Sequence, residues 1–161
     1  MHIARIVYFV AVALLPITSI HAQTIEAPTP SQIQTAKRVF IGNDGGEFNT
    51  SDWTGPSSRT YEQFYFEMKR SGKYELVSNP SDADLVLEVS FVGESACRLN
   101  DAQFRLTILD PKTHAQLWTL ISHIHNQLPG SRKARDHRFD EALAKLASNF
   151  LQLSARQTSG Q

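Results

Sequence analysis

Three consecutive segments between Ala83 and His125 constrain the fold of this chain most strongly. They cover residues 84–92, 103–109 and 116–124, and each is rich in β-branched and aromatic residues and bounded by turn formers. Apolar and polar side chains alternate along them, which is typical of strands with one buried and one solvated face. The spacing predicts an antiparallel meander in which residues 110–115 form a hairpin loop.

The alternation also assigns side chains to faces. In the first segment one face is apolar and consists of Leu85, Leu87, Val89 and Phe91, and the other holds Val86, Glu88, Ser90 and Val92. The solvated face of the whole meander is expected to carry the polar side chains Glu88, Arg105, Thr107, Thr119 and His123.

Two helices are predicted from apolar stripes at helical spacing. The first runs from Ser58 to Ser71, ends at Gly72, and has a stripe of Tyr61, Phe64, Tyr65 and Met68. Thr60 and Gln63 resemble a capping box, so a start at Thr60 is the alternative. The second starts at Ser131 or Asp136 and ends near Ser154, with a stripe of Phe139, Ala142, Leu143, Leu146, Ala147, Phe150 and Leu151.

Two shorter strands, at residues 37–41 and 73–77, complete the pattern of strand, helix, three or four strands, helix. This order predicts an α/β (α+β) fold, a two-layer sandwich with a mixed four- to five-stranded sheet and two helices on one face. Residues 36–155 are expected to form one domain.

The N-terminal segment predicts export. A single positive charge, an apolar run over residues 6–17 and a small residue at Ala22 form a secretory signal peptide over residues 1–22. The apolar run is shorter than the roughly 20 residues that span a bilayer, and an uncleaved anchor is the alternative. Residues 23–35 are expected to be a disordered polar tether and 156–161 a disordered tail, and the protein to reside in the periplasm or the medium.

Composition argues against several classes of function. Removing residues 1–22 leaves a net charge near −1, which gives no electrostatic case for nucleic acid as the partner. Cys97 is the single cysteine, so no disulfide forms within the chain, and burial is its expected role. No nucleophile elbow and no His-Glu-x-x-His motif occurs, so a non-enzymatic protein without a cofactor is expected.

The glycine-rich stretch 42–57 lacks the Gly-Lys-Ser/Thr ending of a phosphate-binding loop. Its acidic residues Asp44, Glu47 and Asp52 lack the spacing of a calcium loop. The favoured interpretation is a solvated loop with Trp53 folded onto the domain.

His123 and His125 are two residues apart on one strand and therefore point to the same side. Such a pair can bind zinc or copper when a third side chain also coordinates the ion. The candidates for this third ligand are His114, His137 and Asp136. The favoured interpretation is a pair of solvent-exposed histidines without a metal.

The densest basic patch consists of Arg132, Lys133, Arg135 and Arg138, together with His137. One interpretation is a surface for an anionic partner, such as phospholipid head groups, a cell-wall polymer or an acidic protein. The favoured interpretation is a solvated helix start, because Asp136, Asp140 and Glu141 offer partners on the same helix.

Three stretches carry a family resemblance: residues 72–77, residues 82–87, and residues 109–113 with Gln116-Leu117-Trp118. Together they resemble small bacterial envelope domains, namely the N-terminal domain of TolB, the curli-secretion and penicillin-binding-protein-activator lipoproteins, and uncharacterised periplasmic families. The resemblance implies a two-layer α/β fold, no enzymatic activity, and contacts with envelope proteins. This chain lacks the acylated cysteine of the lipoproteins and the propeller of TolB, so no partner or site residue is transferred.

These observations predict an exported, non-enzymatic binding or assembly module of the bacterial cell envelope, whose partner is another envelope protein or itself. The alternative is a small exported metal-binding protein or enzyme that uses the loop 42–57 and the His123/His125 face. A deep polar pocket would favour the alternative, whereas a flat sheet face with Leu117, Ile121 or Val92 exposed would favour a protein partner. Pairing of an open sheet edge into a homodimer is a third hypothesis.

Overall fold

The computed structural model describes residues 28–46, 53–93, 102–124 and 131–156. The predicted signal peptide, Glu47, Asp52, Cys97 and His125 lie outside these ranges. The elements in chain order are α1 (Ser31–Thr35), β1 (Arg38–Gly46), α2 (Arg59–Ser71), β2 (Glu75–Val77), β3 (Leu85–Val92), β4 (Gln103–Leu109), β5 (Gln116–His123) and α3 (Arg132–Ala155).

The described strands form a five-stranded sheet in the order β2-β1-β3-β4-β5. β1 is parallel to both β2 and β3, whereas β3, β4 and β5 form an antiparallel meander. The predicted meander and the predicted fold class, a mixed sheet with helices packed against one face, are therefore confirmed.

The core lies between the sheet and the helices α2 and α3. The helix-facing side chains of β3 are buried, as predicted from the alternation, and α3 contributes the fully or almost fully buried Phe139, Leu143, Leu146 and Phe150. Trp53 folds onto this core, where its ring centroid lies 5.4 Å from that of Phe139 and 6.1 Å from that of Phe91. The prediction for Trp53 is confirmed.

The prediction that the other face of β3 is solvated is wrong for two of its residues. Val86 and Ser90 are each 6% exposed. β3 is the central strand, so side chains of both neighbouring strands crowd its outer face. Phe40 of β1 and Leu109 of β4, for example, lie directly beside Val86.

The helix ends follow local chemistry. Gly72 ends α2 in the left-handed conformation, with φ of 62°, as predicted. The capping box of Thr60 and Gln63 is wrong, because α2 starts after Ser58 and the Gln63 amide donates to Asp140 (2.9 Å). α3 uses the earlier of its two predicted starts, since the Ser131 hydroxyl oxygen accepts from the N–H of Ala134 (3.3 Å).

The predicted disordered tether is wrong for residues 31–35, which form α1. Ile33 is fully buried in the core, and the Gln32 amide donates to the carbonyl of Asp84 (3.1 Å). One apolar residue in a polar segment is thus enough to dock this short helix. β1 also extends past its predicted end at Ile41 to Gly46, where it pairs with β3 across an irregularity.

Among the described helices, none combines the length and the hydropathy needed to cross a bilayer.

Candidate functional site

The face of the sheet opposite the helices, here called the open face, carries an apolar row that crosses four strands. Strand pairing sets Phe40 between Val77 and Val86, and Val86 next to Leu109. Val86 is buried and the other three are partly exposed. The row therefore offers a flat, partly apolar surface rather than a pocket.

Polar side chains occupy the neighbouring rows of the open face. Glu88, Thr107 and Thr119 lie side by side on three successive strands. Arg105 lies beside Ile121, which is 45% exposed and is one of two large exposed apolar side chains among the described residues. The predicted placement of Glu88, Arg105, Thr107 and Thr119 on this face agrees with the observed register, whereas His123, at the end of β5, lines a groove towards α3.

The outer side of β5, here called the β5 edge, is the long edge of the described sheet. β5 has eight residues, whereas β2 at the opposite edge has three. Residues 115–123 contain no Lys, Arg, Asp, Glu or Pro. Natural edge strands are commonly protected against pairing by charges or proline, so the absence of both here favours pairing.

Two grooves open to solvent lie between β5 and α3. The first has a volume of about 270 Å³ and is lined by Trp118, Leu120, Asn149, Gln152, Leu153 and Arg156. The second has a volume of about 190 Å³ and is lined by His123, Arg138, Glu141, Ala142 and Lys145. Sites for small organic molecules usually enclose about 300–1,000 Å³, so both grooves are small for that purpose.

A buried cluster around Arg59 lies at the end of the core where α2 begins. The Arg59 side chain donates to the carbonyl of Thr54 (2.5 Å) and to Oδ1 of Asp136 (2.7 Å) through Nη1, and to Oδ1 of Asp140 (2.6 Å) through Nη2. Its guanidinium carbon lies 4.3 Å from the ring centroid of Phe139. The sequence pattern indicated other roles for Asp136 and Asp140, and no local signal in the sequence pointed to Arg59.

The electrostatics of this cluster indicate a structural role. Burial alone would raise the pKa of Asp136, but hydrogen bonds from the side chain and backbone N–H of Thr54, together with the hydrogen bond and charge of Arg59, lower it to about 2. Asp136 is therefore ionised at neutral pH and has no proton to donate. The cluster links the segment that carries Trp53 to α2 and α3.

The predicted metal ligands are dispersed. His123 is exposed at the end of β5, His114 is exposed in the hairpin between β4 and β5, and His137 lies 3.3 Å from Glu141 on α3. Asp136 binds Arg59 instead. Within the described ranges, no group of three His, Cys, Asp or Glu side chains could hold a metal ion.

The predicted basic patch occupies the first two turns of α3. Arg132 and Lys133 are exposed, and Arg135 and Arg138 are partly exposed. Arg138 also lines the second groove, beside Glu141 and Lys145. Acidic and basic side chains are therefore mixed along this side of α3.

Comparison with known proteins finds solved structures of similar fold and no match by sequence. The chain has no significant match to a protein-family model or to a curated protein. It is similar to a putative neuraminyllactose-binding hemagglutinin homolog from Helicobacter pylori, at 13% identity and a TM-score of 0.51, over 74% of this chain and 86% of that chain. It is also similar to a DUF4136 family protein from Bacteroides thetaiotaomicron, at 12% identity and a TM-score of 0.51, over 78% of this chain and 92% of that chain.

The C-terminal domain of LpoB from Salmonella enterica is a further match, at 12% identity and a TM-score of 0.39, over 56% of this chain and 83% of that chain. The predicted resemblance to small envelope α/β domains is thus confirmed for the fold. At these identities the similarity concerns the fold alone.

Proposed function

We propose that this protein is an exported, non-enzymatic binding or assembly module of the bacterial cell envelope, and that it binds a protein partner through the β5 edge and the adjoining open face. The observation that carries this proposal is the β5 edge itself. It is eight residues long, contains no Lys, Arg, Asp or Glu, and includes the exposed side chain of Ile121.

The chemistry of such an edge suits an extended segment of another polypeptide. A strand added to a sheet edge forms main-chain hydrogen bonds that give affinity, and its alternate side chains enter pockets on either face. The two grooves between β5 and α3 offer such pockets on the helix side. On the open face, Ile121 and the apolar row supply contact area.

Export is the second part of the proposal. The N-terminal segment has the pattern of a signal peptide ending near Ala22, and the fold is shared with small envelope proteins. Both observations support a location outside the cytoplasm.

Site-specific photocrosslinking in the living bacterium tests both parts. A photoreactive phenylalanine analogue is placed at Ile121, and separately at Phe66, which is 60% exposed on α2 and serves as the matched control. We expect a discrete adduct from position 121 in the periplasm or the medium, and none from position 66. Equal labelling from both positions, or an adduct confined to the cytoplasm, would contradict the proposal.

A further inference from the structure

We infer that the partner of the β5 edge is a second copy of this chain, paired antiparallel along β5 with the two-fold axis at Thr119. The inference rests on the proposed function, because it names the occupant of the same edge. It predicts a continuous ten-stranded sheet with both α3 helices on one face.

The backbone of β5 presents the required groups. The N–H of Ile124 donates to the carbonyl of Ala102 on the β4 side (2.8 Å). Because every second residue of an antiparallel strand bonds to the same neighbour, Leu120 and Ser122 also face β4. The N–H and C=O groups of Thr119 and Ile121 therefore point away from the sheet, where a second strand can bind them.

The side chains of β5 are self-complementary about Thr119. With the axis there, Leu120 lies opposite Trp118 of the second copy on the helix side, where both side chains also pack against the core of their own copy. Moving the axis by one residue in either direction would set Ser122 opposite Trp118, or Gln116 opposite Leu120. Of these three registers, the one centred on Thr119 is thus the one that matches apolar with apolar on the helix side.

An irregularity in β5 helps to fix this register. The pairing with β4 shifts between Ile108 and Leu109, so that Leu109 lies opposite Gln116. The extra residue is Leu117, and the strand bends there. A two-fold axis at Thr119 places this bend next to both ends of the paired segment 118–120, which opposes slippage.

The first groove lies where the second copy would insert side chains. It is lined by Trp118 and Leu120 on the sheet side and by Leu153 on α3. A strand added at the β5 edge directs its own Trp118 and Leu120 to the same side of the sheet. These side chains would therefore enter the groove and remove its apolar lining from water.

One pair of opposite charges on the two α3 helices is level in this arrangement. α3 runs antiparallel to β5, since Ala142 binds Ser122 near one end and Gln152 lies beside Trp118 near the other. Thr119 lies three strand residues from Ser122, at about 3.4 Å per residue, and α3 rises about 1.5 Å per residue. Measured along the strand from Ala142, the two-fold axis is therefore level with about residue 149 of α3. Glu141 of one copy is then level with Arg156 of the other.

Analytical ultracentrifugation of the purified full chain tests the inference. We expect a dimer whose dissociation constant rises at least about tenfold in Ile121→Lys, because a charge is introduced beside the axis. Phe66→Lys, which changes the other large exposed apolar residue, should leave the dimer intact. Thermal melts of both variants check that each folds.

Disulfide trapping tests the register. In a Cys97→Ser background, Thr119→Cys should form a disulfide dimer on oxidation, since paired residues at the axis have Cα atoms about 5.5 Å apart. Thr107→Cys is the matched control, because Thr107 is the neighbour of Thr119 on the same face, one strand further in. Trapping through Thr107 as efficiently as through Thr119 would overturn the register.

The outcomes separate the two proposals. If the chain is monomeric up to about 0.1 mM while Ile121 crosslinks to a different envelope protein, the inference of a second copy is wrong and the proposed function stands. If the chain is monomeric and Ile121 yields no adduct, both are wrong. A dimer that is lost in Ile121→Lys and trapped through Thr119 supports both.

Discussion

The guanidinium of Arg59 joins parts of the chain that are far apart in sequence. It contacts Thr54 nearby, and Asp136 and Asp140 at separations of 77 and 81 residues. Arg59 is only 9% exposed, so removing one partner would leave a buried charge incompletely paired. The cluster is therefore expected to stabilise the end of the core more than a surface ion pair would.

Asp136→Asn tests this expectation through pH. The pKa of Asp136 is lowered to about 2 in the folded protein, below the unfolded value of 3.8. The resulting stability of about 2 kcal/mol is fully present above about pH 4 and is lost as the pH falls through about 2. We expect Asp136→Asn to lose about this amount at pH 7 and to show a smaller decrease between pH 4 and 2, measured by urea unfolding.

Asp44→Asn is the control, because Asp44 is exposed on β1. It should leave the free energy of unfolding at pH 7 nearly unchanged. Equal pH dependence of the wild type and Asp136→Asn would show that Arg59 gains no stability from Asp136.

At the residue scale, the sequence predicted features that depend on neighbours in the chain. Gly72 ends α2 because glycine adopts a positive φ at little cost, and this is visible from the sequence. The Arg59 cluster was missed because its two carboxylates come from α3. The i, i+4 spacing of Asp136 and Asp140 was the available signal, but it does not identify the arginine that they bind.

Among the elements, β1 ends at Gly46, which lies so close to β3 that no side chain fits there. Gly46 has a φ of 114°, and a Cβ atom there would collide with the carbonyl oxygen of Phe91 on β3. Gly45 also has a positive φ, of 75°, but a Cβ atom added there would meet no other atom within 4 Å. A side chain would cause backbone strain at both positions but a steric collision only at Gly46, so substituting each glycine in turn distinguishes the two effects.

We expect Gly46→Ala to destabilise the protein by at least about 2 kcal/mol and Gly45→Ala by about 1 kcal/mol, because only the former must also displace β3. Thermal and urea unfolding of the two variants measures the difference. Equal effects would show that the end of β1 is not held against Phe91.

Element prediction succeeded where the periodic signal was long. The stripe of α3 and the alternation of β4 identified both elements, the latter with its observed ends at Gln103 and Leu109. α1 was missed, because five residues with one buried side chain carry no periodicity. The extension of β1 was missed because glycine, asparagine and aspartate favour turns.

At the scale of the whole molecule, aromatic side chains tie the sheet to α3. The Phe104 and Phe139 centroids are 4.7 Å apart with perpendicular rings, and Trp53 packs against Phe139 and Phe91. Trp53 reaches this cluster from outside both layers and is 2% exposed. It therefore closes one end of the core.

Trp53→Ala should destabilise the protein by about 3–5 kcal/mol through cavity formation and lost burial. Trp118→Ala should cost clearly less, because Trp118 is partly exposed at the sheet edge. Urea unfolding followed by circular dichroism, at a protein concentration low enough to favour the monomer, compares the two. A larger effect at Trp118 would contradict the assignment of Trp53 to the core.

The sequence predicted two layers but not the order of strands. Alternation fixes which residues share a face, whereas the position of β1 between β2 and β3 depends on a crossover that leaves no local signal. The sequence therefore named Leu117 and Ile121 as candidates for exposure without locating β5 at the edge. The sequence also does not show that β3 is the central strand. This explains the wrong prediction for Val86 and Ser90, whose face of β3 is covered by side chains of both neighbouring strands.

The two edges of the described sheet differ in shape. β5 is continuous over eight residues, whereas β2 covers only residues 38–40 of β1 and leaves residues 41–46 of β1 beside it, so the opposite edge is stepped. In the inferred dimer, both β5 edges are used up in one two-fold contact, and a stepped edge remains at each end of the sheet. Such a contact between identical edges closes at two copies, because neither copy keeps a second β5 edge from which to continue.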